Sequence, residues 1–174
     1  MGNQVSMTEQ DQQRWKRKRI RLEQYDYSTP GAYFITICTK DRVRILWDNV
    51  EAAISRQETP RLSQIGKIVE QAVQQIETHH PAACVDKYCI MPDHVHLILT
   101  LKADEYGKSV SATTVPTIIG SMKRWVSVQI GQPIWQKSFM DRVIRNKQGY
   151  LKVWEYIDHN PLKIDFGGDS IDFF

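Results

Sequence analysis

The feature that most restricts the possible fold is residues 88–100, YCIMPDHVHLILT, in which two histidines interrupt an almost continuous apolar run. The second half of this run is short and apolar, which is typical of a buried strand. Side chains alternate between the two faces of a strand. His94 and His96 therefore share one face, and Val95 and Leu97 share the other. We expect a sheet with an apolar core face and a second face that carries paired imidazoles.

The rest of the chain predicts a mixed fold without internal repeats. Strands are expected at GAYFITICT (31–39), RILW (44–47), ACVDKYCI (83–90), HVHLILTL (94–101) and DRVIR (141–145). Helices are expected at about 62–79, 117–130 and 148–160, the second stopped by Gly131 and Pro133 and the third by Pro161. This order of elements predicts an α+β fold, an antiparallel sheet with helices packed on one face.

The length and charge distribution predict one domain with a basic arm. The chain has 174 residues and a formal net charge of +3, but RWKRKRIR (14–21) contains no acidic residue. We expect residues 1–18 to be a basic, flexible arm and residues 19–174 to be a single domain. Such a basic block is typical of contact with nucleic acid or another anionic surface, although a merely solvated arm has the same composition.

The cysteines and the hydropathy pattern bear on the cellular compartment. Cys38, Cys84 and Cys89 are odd in number and form no C-x-x-C pair, which indicates reduced thiols. Cys84 and Cys89 would point to opposite faces of one strand. No apolar run reaches the roughly 18 residues that span a bilayer. We therefore expect a cytoplasmic protein.

The histidine pair predicts a metal site if further ligands are available. Two neutral imidazoles on one face of a strand can converge on one metal ion, but they can also be hydrogen-bonded on a half-exposed sheet. In YLKVWEYIDHNP (150–161), Tyr156 and Asn160 are separated by one helical turn. The amide oxygen of Asn160 would complete a set of two nitrogens and one oxygen, suited to Mg²⁺ or Mn²⁺. Tyr156 is either a nucleophile beside that metal or a helix residue packed on the sheet.

Several motifs together resemble one known family. MPDHVHLIL, then WQKSFMDRVIRN, then YIDHNPLK occur in the order found in the REP-associated tyrosine transposases, small single-tyrosine HUH transposases, and RLEQYDYSTPGAYFITICT resembles their N-terminal segment. The resemblance spans about residues 19–163. It implies an RRM-like antiparallel sheet, the HUH endonuclease fold. It also implies a divalent metal held by His94 and His96, with Asn160 assisting, and Tyr156 as the nucleophile.

The implied activity is metal-dependent cleavage and rejoining of single-stranded DNA through a covalent 5′-phosphotyrosine. The resemblance also implies that the partner is hairpin DNA related to a REP palindrome. It does not decide between a monomer and a homodimer. Two other functions fit the same residues: a non-enzymatic RRM-like nucleic-acid-binding module, and a metal-dependent phosphoesterase acting on small nucleotides.

Candidate DNA contacts lie in two places. In the basic arm they are Lys16, Arg17, Lys18, Arg19 and Arg21. In the second predicted helix, Lys123 and Arg124 adjoin Trp125, a grouping that suits phosphates and unstacked bases, although Trp125 fits the core equally well. Asp93 either orients His94 or only serves the turn after Pro92.

Overall fold

The computed structural model describes residues 25–160, which form one antiparallel sheet with helices around it. The strands are β1 (Gly31–Cys38), β2 (Ala83–Ile90), β3 (His94–Leu101) and β4 (Met140–Ile144). The helices are α1 (Val50–Ile54), α2 (Gln64–Gln74), α3 (Ile76–His79), α4 (Val115–Ile130) and α5 (Lys147–His159), with a 3₁₀ turn at Lys40–Arg42.

The strand order is β2-β3-β1-β4, and every neighbouring pair is antiparallel. Up to β4 the chain runs strand, helix, strand, strand, helix, strand, which is the split βαβ arrangement. The predicted α+β fold built on an antiparallel sheet is therefore confirmed. The central strands β1 and β3 are the most deeply buried, and β3 carries the histidine pair.

The two faces of the sheet are covered by different helices. Tyr88 is paired with Leu97 across β2 and β3, and its hydroxyl contacts Gln74 and Glu70 of α2. The face of Leu97 is thus the one under α2, and α4 packs beside α2. The last helix, α5, contacts β2 and β3 on the opposite face, where Tyr156 reaches His96. The prediction that the helices pack on one face therefore holds for α2 and α4 and is wrong for α5, which lies over the histidines.

A β-bulge in β2 changes which side chains share a face. Val85 pairs with Leu99 but Lys87 pairs with Ile98, so Asp86 is an extra residue in the ladder. Because of this extra residue, Cys84 pairs with Thr100 and Cys89 with His96. The prediction that these two cysteines lie on opposite faces is therefore wrong. Both are free thiols, as predicted, and so is Cys38.

The predicted strand at residues 44–47 is also wrong. This segment is irregular and is held to the β2–β3 region by the Leu46 amide, which donates to the Pro92 carbonyl (2.9 Å), and by the Trp47 indole, which donates to the Ile90 carbonyl (2.7 Å). Leu46 and Trp47 are buried, which explains the strand-like apolar pattern.

The three predicted helices are present with shifted ends. The one predicted over 62–79 is divided into α2 and α3, and α4 begins two residues earlier than expected, capped by Thr114. Gly131 ends α4 in the left-handed conformation (φ 80°), as the Gly131–Pro133 stop signal predicted. None of the helices within residues 25–160 has the length and hydropathy of a membrane span. The predicted boundary between arm and domain at residue 18 lies outside the described residues and stays a prediction.

Replacing glycine by alanine should have opposite effects on the free energy of unfolding at two helical positions. A Cβ on Gly66 of α2 would overlap the backbone carbonyl oxygen of Leu46, whereas Gly120 of α4 is exposed and a Cβ there would have nothing within 4 Å. We expect Gly66→Ala to lower the free energy of unfolding by about 2 kcal/mol or more, because the irregular segment must shift. Gly120→Ala should raise it by about 1 kcal/mol, since alanine is the better helix former. Urea unfolding of both variants checks this, and equal effects of the same sign would contradict the close approach at Gly66.

Candidate active site

The two histidine rings meet on the sheet face that α5 covers. Nε2 of His94 and Nε2 of His96 are 3.0 Å apart, and both side chains are buried, with 6% and 1% relative exposure. They are consecutive residues on this face of β3, as the strand pattern predicted. Strand β1 flanks them, and Thr36 and Cys38 are the register partners of His96 and His94.

The outer nitrogen of each ring has its own partner. Nδ1 of His94 is 2.6 Å from a carboxylate oxygen of Asp93, and Nδ1 of His96 is 2.9 Å from the Thr36 hydroxyl. A hydrogen bond at Nδ1 fixes the orientation of an imidazole and leaves Nε2 to face the site. Asp93 therefore contacts His94, as one of its two predicted roles requires. Thr36 was not predicted, and its role depends on the β1–β3 register.

The Thr36 hydroxyl is compatible with either tautomer of His96, because a hydroxyl both donates and accepts. If it donates to Nδ1, Nε2 of His96 carries a hydrogen and can donate to His94. If it accepts from Nδ1, Nε2 of His96 presents a lone pair beside that of His94. The site can therefore offer either an imidazole–imidazole hydrogen bond or two lone pairs.

Tyr156 of α5 contacts the same histidine pair. Its hydroxyl oxygen is 3.3 Å from Nε2 of His96, and its half-buried ring stands edge-on to that imidazole with the centroids 5.3 Å apart. Phe34 stacks on His96 and also contacts the Tyr156 ring edge-on. The structure thus brings together the two histidines and the tyrosine that the sequence motifs predicted. Phe34, a neighbour that sequence reasoning missed, forms an apolar wall of the site.

Arg42 is another residue that sequence reasoning missed. Its guanidinium lies 3.4 Å from Asp93 and 3.1 Å from the Cys38 sulfur, and its side chain is 43% exposed. Asp41 and Arg42 both have positive φ, 54° and 56°, in the 3₁₀ turn after β1. Left-handed backbone in two consecutive non-glycine residues is rare and strained. This turn holds a cation against the Asp93–His94 pair.

Burial and charge set the protonation of this cluster. Burial lowers the pKa of His96 well below its usual range, and the Arg42 guanidinium and the charge of a protonated His94 lower it further. Burial would raise the pKa of the Asp93 carboxyl, but its hydrogen bond and charge interaction with His94 and the charge of Arg42 outweigh that effect and lower it. At neutral pH, Asp93 is therefore a carboxylate and His96 is neutral, with a lone pair available.

The residues fit a divalent metal ion in two respects. Two nitrogens at neighbouring corners of an octahedral ion, each about 2.1 Å from it, are about 3.0 Å apart, which is the Nε2–Nε2 separation here. Each imidazole also has the partner at Nδ1 that metal-binding histidines usually have. In residues 25–160 no set of three or more His, Cys, Asp and Glu side chains is grouped for metal binding, so a third ligand from these residues would be of another type.

Asn160 has the properties of such a third ligand. It continues the helical backbone one turn beyond Tyr156 and is buried, with 6% exposure. Its Nδ2 atom has no hydrogen-bond partner among the described residues. The amide oxygen and nitrogen can be exchanged by a flip, so an oxygen can occupy this position. A buried amide atom without a protein partner calls for a ligand or a solvent contact.

The two predicted DNA-contact residues of α4, Lys123 and Arg124, lie in different surroundings. The ammonium of Lys123 donates to the backbone carbonyl of Gln136 (2.7 Å) and lies near those of Lys137 and Ser138, so it ties α4 to the loop before β4. Arg124 is exposed, while Trp125 is half-buried against the core. Their role in DNA binding stays a prediction. The arm residues Lys16, Arg17, Lys18, Arg19 and Arg21 lie outside the described residues, and their role also stays a prediction.

Comparison with known proteins confirms the resemblance inferred from the motifs. No protein-family model matches the chain. It is 29% identical over 165 residues to an uncharacterised protein of Haemophilus influenzae, covering 84% of this chain and 88% of that one. It is 26% identical over 147 residues to another H. influenzae protein, provisionally named a REP-associated tyrosine transposase, covering 79% and 74%.

A solved structure supports the fold. The chain matches a REP-associated tyrosine transposase determined with a bound REP hairpin, with a TM-score of 0.59, 21% identity, and coverage of 82% of this chain and 73% of that one. The chain therefore resembles this family in sequence and has its fold.

Removal of the Thr36 hydroxyl tests the described geometry. Thr36→Val keeps the branched shape and leaves Nδ1 of the fully buried His96 without a partner, so we expect the free energy of unfolding to fall by about 2 kcal/mol. Thr36→Ser keeps the hydroxyl and should lose less. Urea unfolding with an unchanged m-value makes the comparison. A valine variant at least as stable as the serine variant would show that the hydroxyl does not support His96.

Proposed function

We propose that this chain is a metal-dependent single-stranded DNA endonuclease and strand transferase of the REP-associated tyrosine transposase type. The observation that carries the proposal is the contact between the Tyr156 hydroxyl and His96, whose Nε2 faces that of His94. A nucleophile and a candidate metal pair thus lie side by side on a rigid sheet and a helix. The similarity in sequence and fold to a family provisionally or directly named as transposases supports the same assignment.

The reaction follows from what these side chains can do. The phenolic oxygen of Tyr156 attacks the phosphorus of a phosphodiester, and the bond from phosphorus to the 3′ oxygen breaks as the new bond forms. Tyr156 then carries the 5′ phosphate, and the 3′ oxygen takes up a proton to leave as a hydroxyl. Attack by another 3′-hydroxyl reverses the step and rejoins the strand. The phosphotyrosine retains the ester bond, so no nucleotide energy source is required.

His94, His96 and Asn160 are the residues that would hold Mg²⁺ or Mn²⁺. When bound, such an ion neutralises charge on the scissile phosphate and polarises its oxygens. Asp93 and Thr36 orient the two imidazoles, and Phe34 excludes water from one side of the site. Nε2 of His96 cannot both ligate a metal and accept the phenolic proton. We therefore assign it to metal binding, and the proton leaves to water on the exposed side of Tyr156.

The substrate is proposed to be DNA that carries a hairpin, because the matched solved structure holds a REP hairpin. The basic arm and Arg124 would add sequence-independent affinity by neutralising phosphates, so binding should weaken as salt rises. The two other predicted functions, a binding module and a phosphoesterase, would give different results in binding and cleavage assays. A pure binding module would bind the hairpin whether or not a chelator is present, and a phosphoesterase would hydrolyse nucleotides without forming a covalent adduct.

Tyr156→Phe separates chemistry from folding. It removes one hydroxyl and keeps the aromatic ring against His96 and Phe34, so folding and hairpin binding should survive while the covalent adduct disappears. Wild type and variant are incubated with a labelled single-stranded hairpin and Mn²⁺, and labelled protein is detected on a denaturing gel.

The matched control is Tyr106→Phe, because Tyr106 is 77% exposed in a loop. It should form the adduct at the wild-type rate. A labelled band in Tyr156→Phe, or a wild-type linkage mapped to another tyrosine, would refute Tyr156 as the nucleophile.

Asp93→Asn tests the metal assignment. Loss of the carboxylate beside Nδ1 makes His94 a weaker ligand, so we expect Mn²⁺ affinity to fall about 10- to 100-fold. Isothermal titration calorimetry with Mn²⁺ measures this directly, without DNA. Asp48→Asn removes the same charge from an exposed side chain outside the cluster and should leave affinity unchanged. Equal affinity in wild type and Asp93→Asn would place the metal elsewhere.

A further inference from the structure

The β2 bulge directs two consecutive side chains towards the helix that carries Tyr156. In a regular strand, Asp86 and Lys87 would point to opposite faces. Here Lys87 is opposite Ile98 and Asp86 is the extra residue, and both side chains reach α5. Bulges commonly redirect side chains near functional sites. The contacts of these two residues therefore show what the bulge does in this protein.

Asp86 contacts the start of α5. One of its carboxylate oxygens accepts from the Tyr150 hydroxyl (2.9 Å) and from the Thr100 hydroxyl (2.6 Å). Burial and the hydrogen bond to Asp86 raise the pKa of Tyr150 to about 12, so at neutral pH this phenol remains protonated and acts as the donor. Asp86 thus connects strands β2 and β3 to the first turn of α5.

Lys87 contacts the end of the same helix. Its ammonium pairs with the carboxylate of Asp158 and lies 5.1 Å from the centre of the Trp154 ring. The ring of Trp154 also contacts that of Tyr150, with centroids 6.0 Å apart. The two bulge residues therefore hold α5 at both ends, and Tyr156 lies between the attached positions.

The apolar contacts of α5 lie along one side of the helix. Val153 and Ile157 are buried, and Tyr150, Trp154 and Tyr156 are partly buried against the core. Apolar contacts are non-directional, so they set the exact position of a helix less strictly than hydrogen bonds do. Polar contacts at both ends of α5 restrict the position of the helix and so restrict the position of the Tyr156 hydroxyl.

We propose that Asp86 and Lys87 are positioning residues that use the β2 bulge to fix α5 and so set the Tyr156 hydroxyl against the histidine pair. This inference rests on the proposed function of Tyr156 as the nucleophile. Asp86 acts through Tyr150, and neither touches the reacting atoms. A displacement of about 1 Å at a reacting group can cost on the order of 100-fold in rate, so even small shifts of the helix would matter.

Tyr150→Phe is the decisive variant, because it removes one hydroxyl and keeps the ring against Trp154. Three measurements are made on the whole 174-residue chain: hydrogen exchange of backbone amides in residues 147–159, the rate of adduct formation with the labelled hairpin and Mn²⁺, and hairpin affinity. We expect exchange in this segment to be about fivefold faster and the adduct to form about tenfold more slowly, while hairpin affinity stays unchanged.

Tyr88→Phe is the matched control. Its hydroxyl is also bonded to side chains between β2 and a helix, but that helix is α2 on the other face. It should affect neither α5 exchange nor the adduct rate. Asp86→Asn keeps an acceptor for Tyr150 and should retain most of the activity. Lys87→Met combined with Tyr150→Phe should have a larger effect than either change alone.

The outcomes distinguish this inference from the proposed function. Unchanged α5 exchange in Tyr150→Phe, or faster exchange with an unchanged adduct rate, would overturn the positioning role and leave Tyr156 as the nucleophile. An equal slowing in Tyr88→Phe would also overturn it, because the effect would then be general destabilisation. No adduct from wild type would contradict the proposed function, and the positioning role with it.

Discussion

The site depends on one constraint, that two adjacent imidazoles are buried and each of their nitrogens needs a partner. Unpaired polar groups are costly in a low-dielectric interior. Asp93 and Thr36 satisfy the outer nitrogens, and the inner nitrogens face each other beside Tyr156. Each of these partners comes from a different part of the chain. The need to give each imidazole nitrogen a partner therefore links the β1–β3 register, the turn before β3 and the placement of α5.

The two faces of the sheet divide stability from chemistry. The face under α2 and α4 is an apolar core in which Ile35 and Leu97 are fully buried. The opposite face carries His94, His96 and Thr100 along β3 and is covered by one amphipathic helix, α5. Much of the hydrophobic stabilisation thus lies away from the site. The fold therefore does not depend on α5 alone. Polar contacts with the sheet can hold this helix in place.

Fold similarity alone does not establish an activity, because unrelated functions occur on common folds. For this chain the argument for strand transfer comes from the geometry of particular atoms. The Nε2–Nε2 separation suits two neighbouring ligands of one ion, the Asn160 amide has an atom without a protein partner in the described part of the chain, and a phenol is adjacent. The sequence and fold comparisons add the resemblance to the transposase family and its fold.

The sequence by itself determined the antiparallel α+β fold, the shared face of His94 and His96, and the helix that carries Tyr156, because periods of 2 and 3.6 residues follow from local backbone geometry. It did not identify Thr36, Phe34 or Arg42 as neighbours of the site, because those contacts depend on which strands pair, in what register, and on the strained turn after β1. Residues 44–47 had a strand-like pattern, yet their burial comes from contacts with the β2–β3 region. The bulge at Asp86 has no clear local signal, and it placed Cys84 and Cys89 on the same face of the sheet. Only the tertiary structure decided these features, since one extra residue in a ladder is defined by the partner strand and not by the strand that contains it.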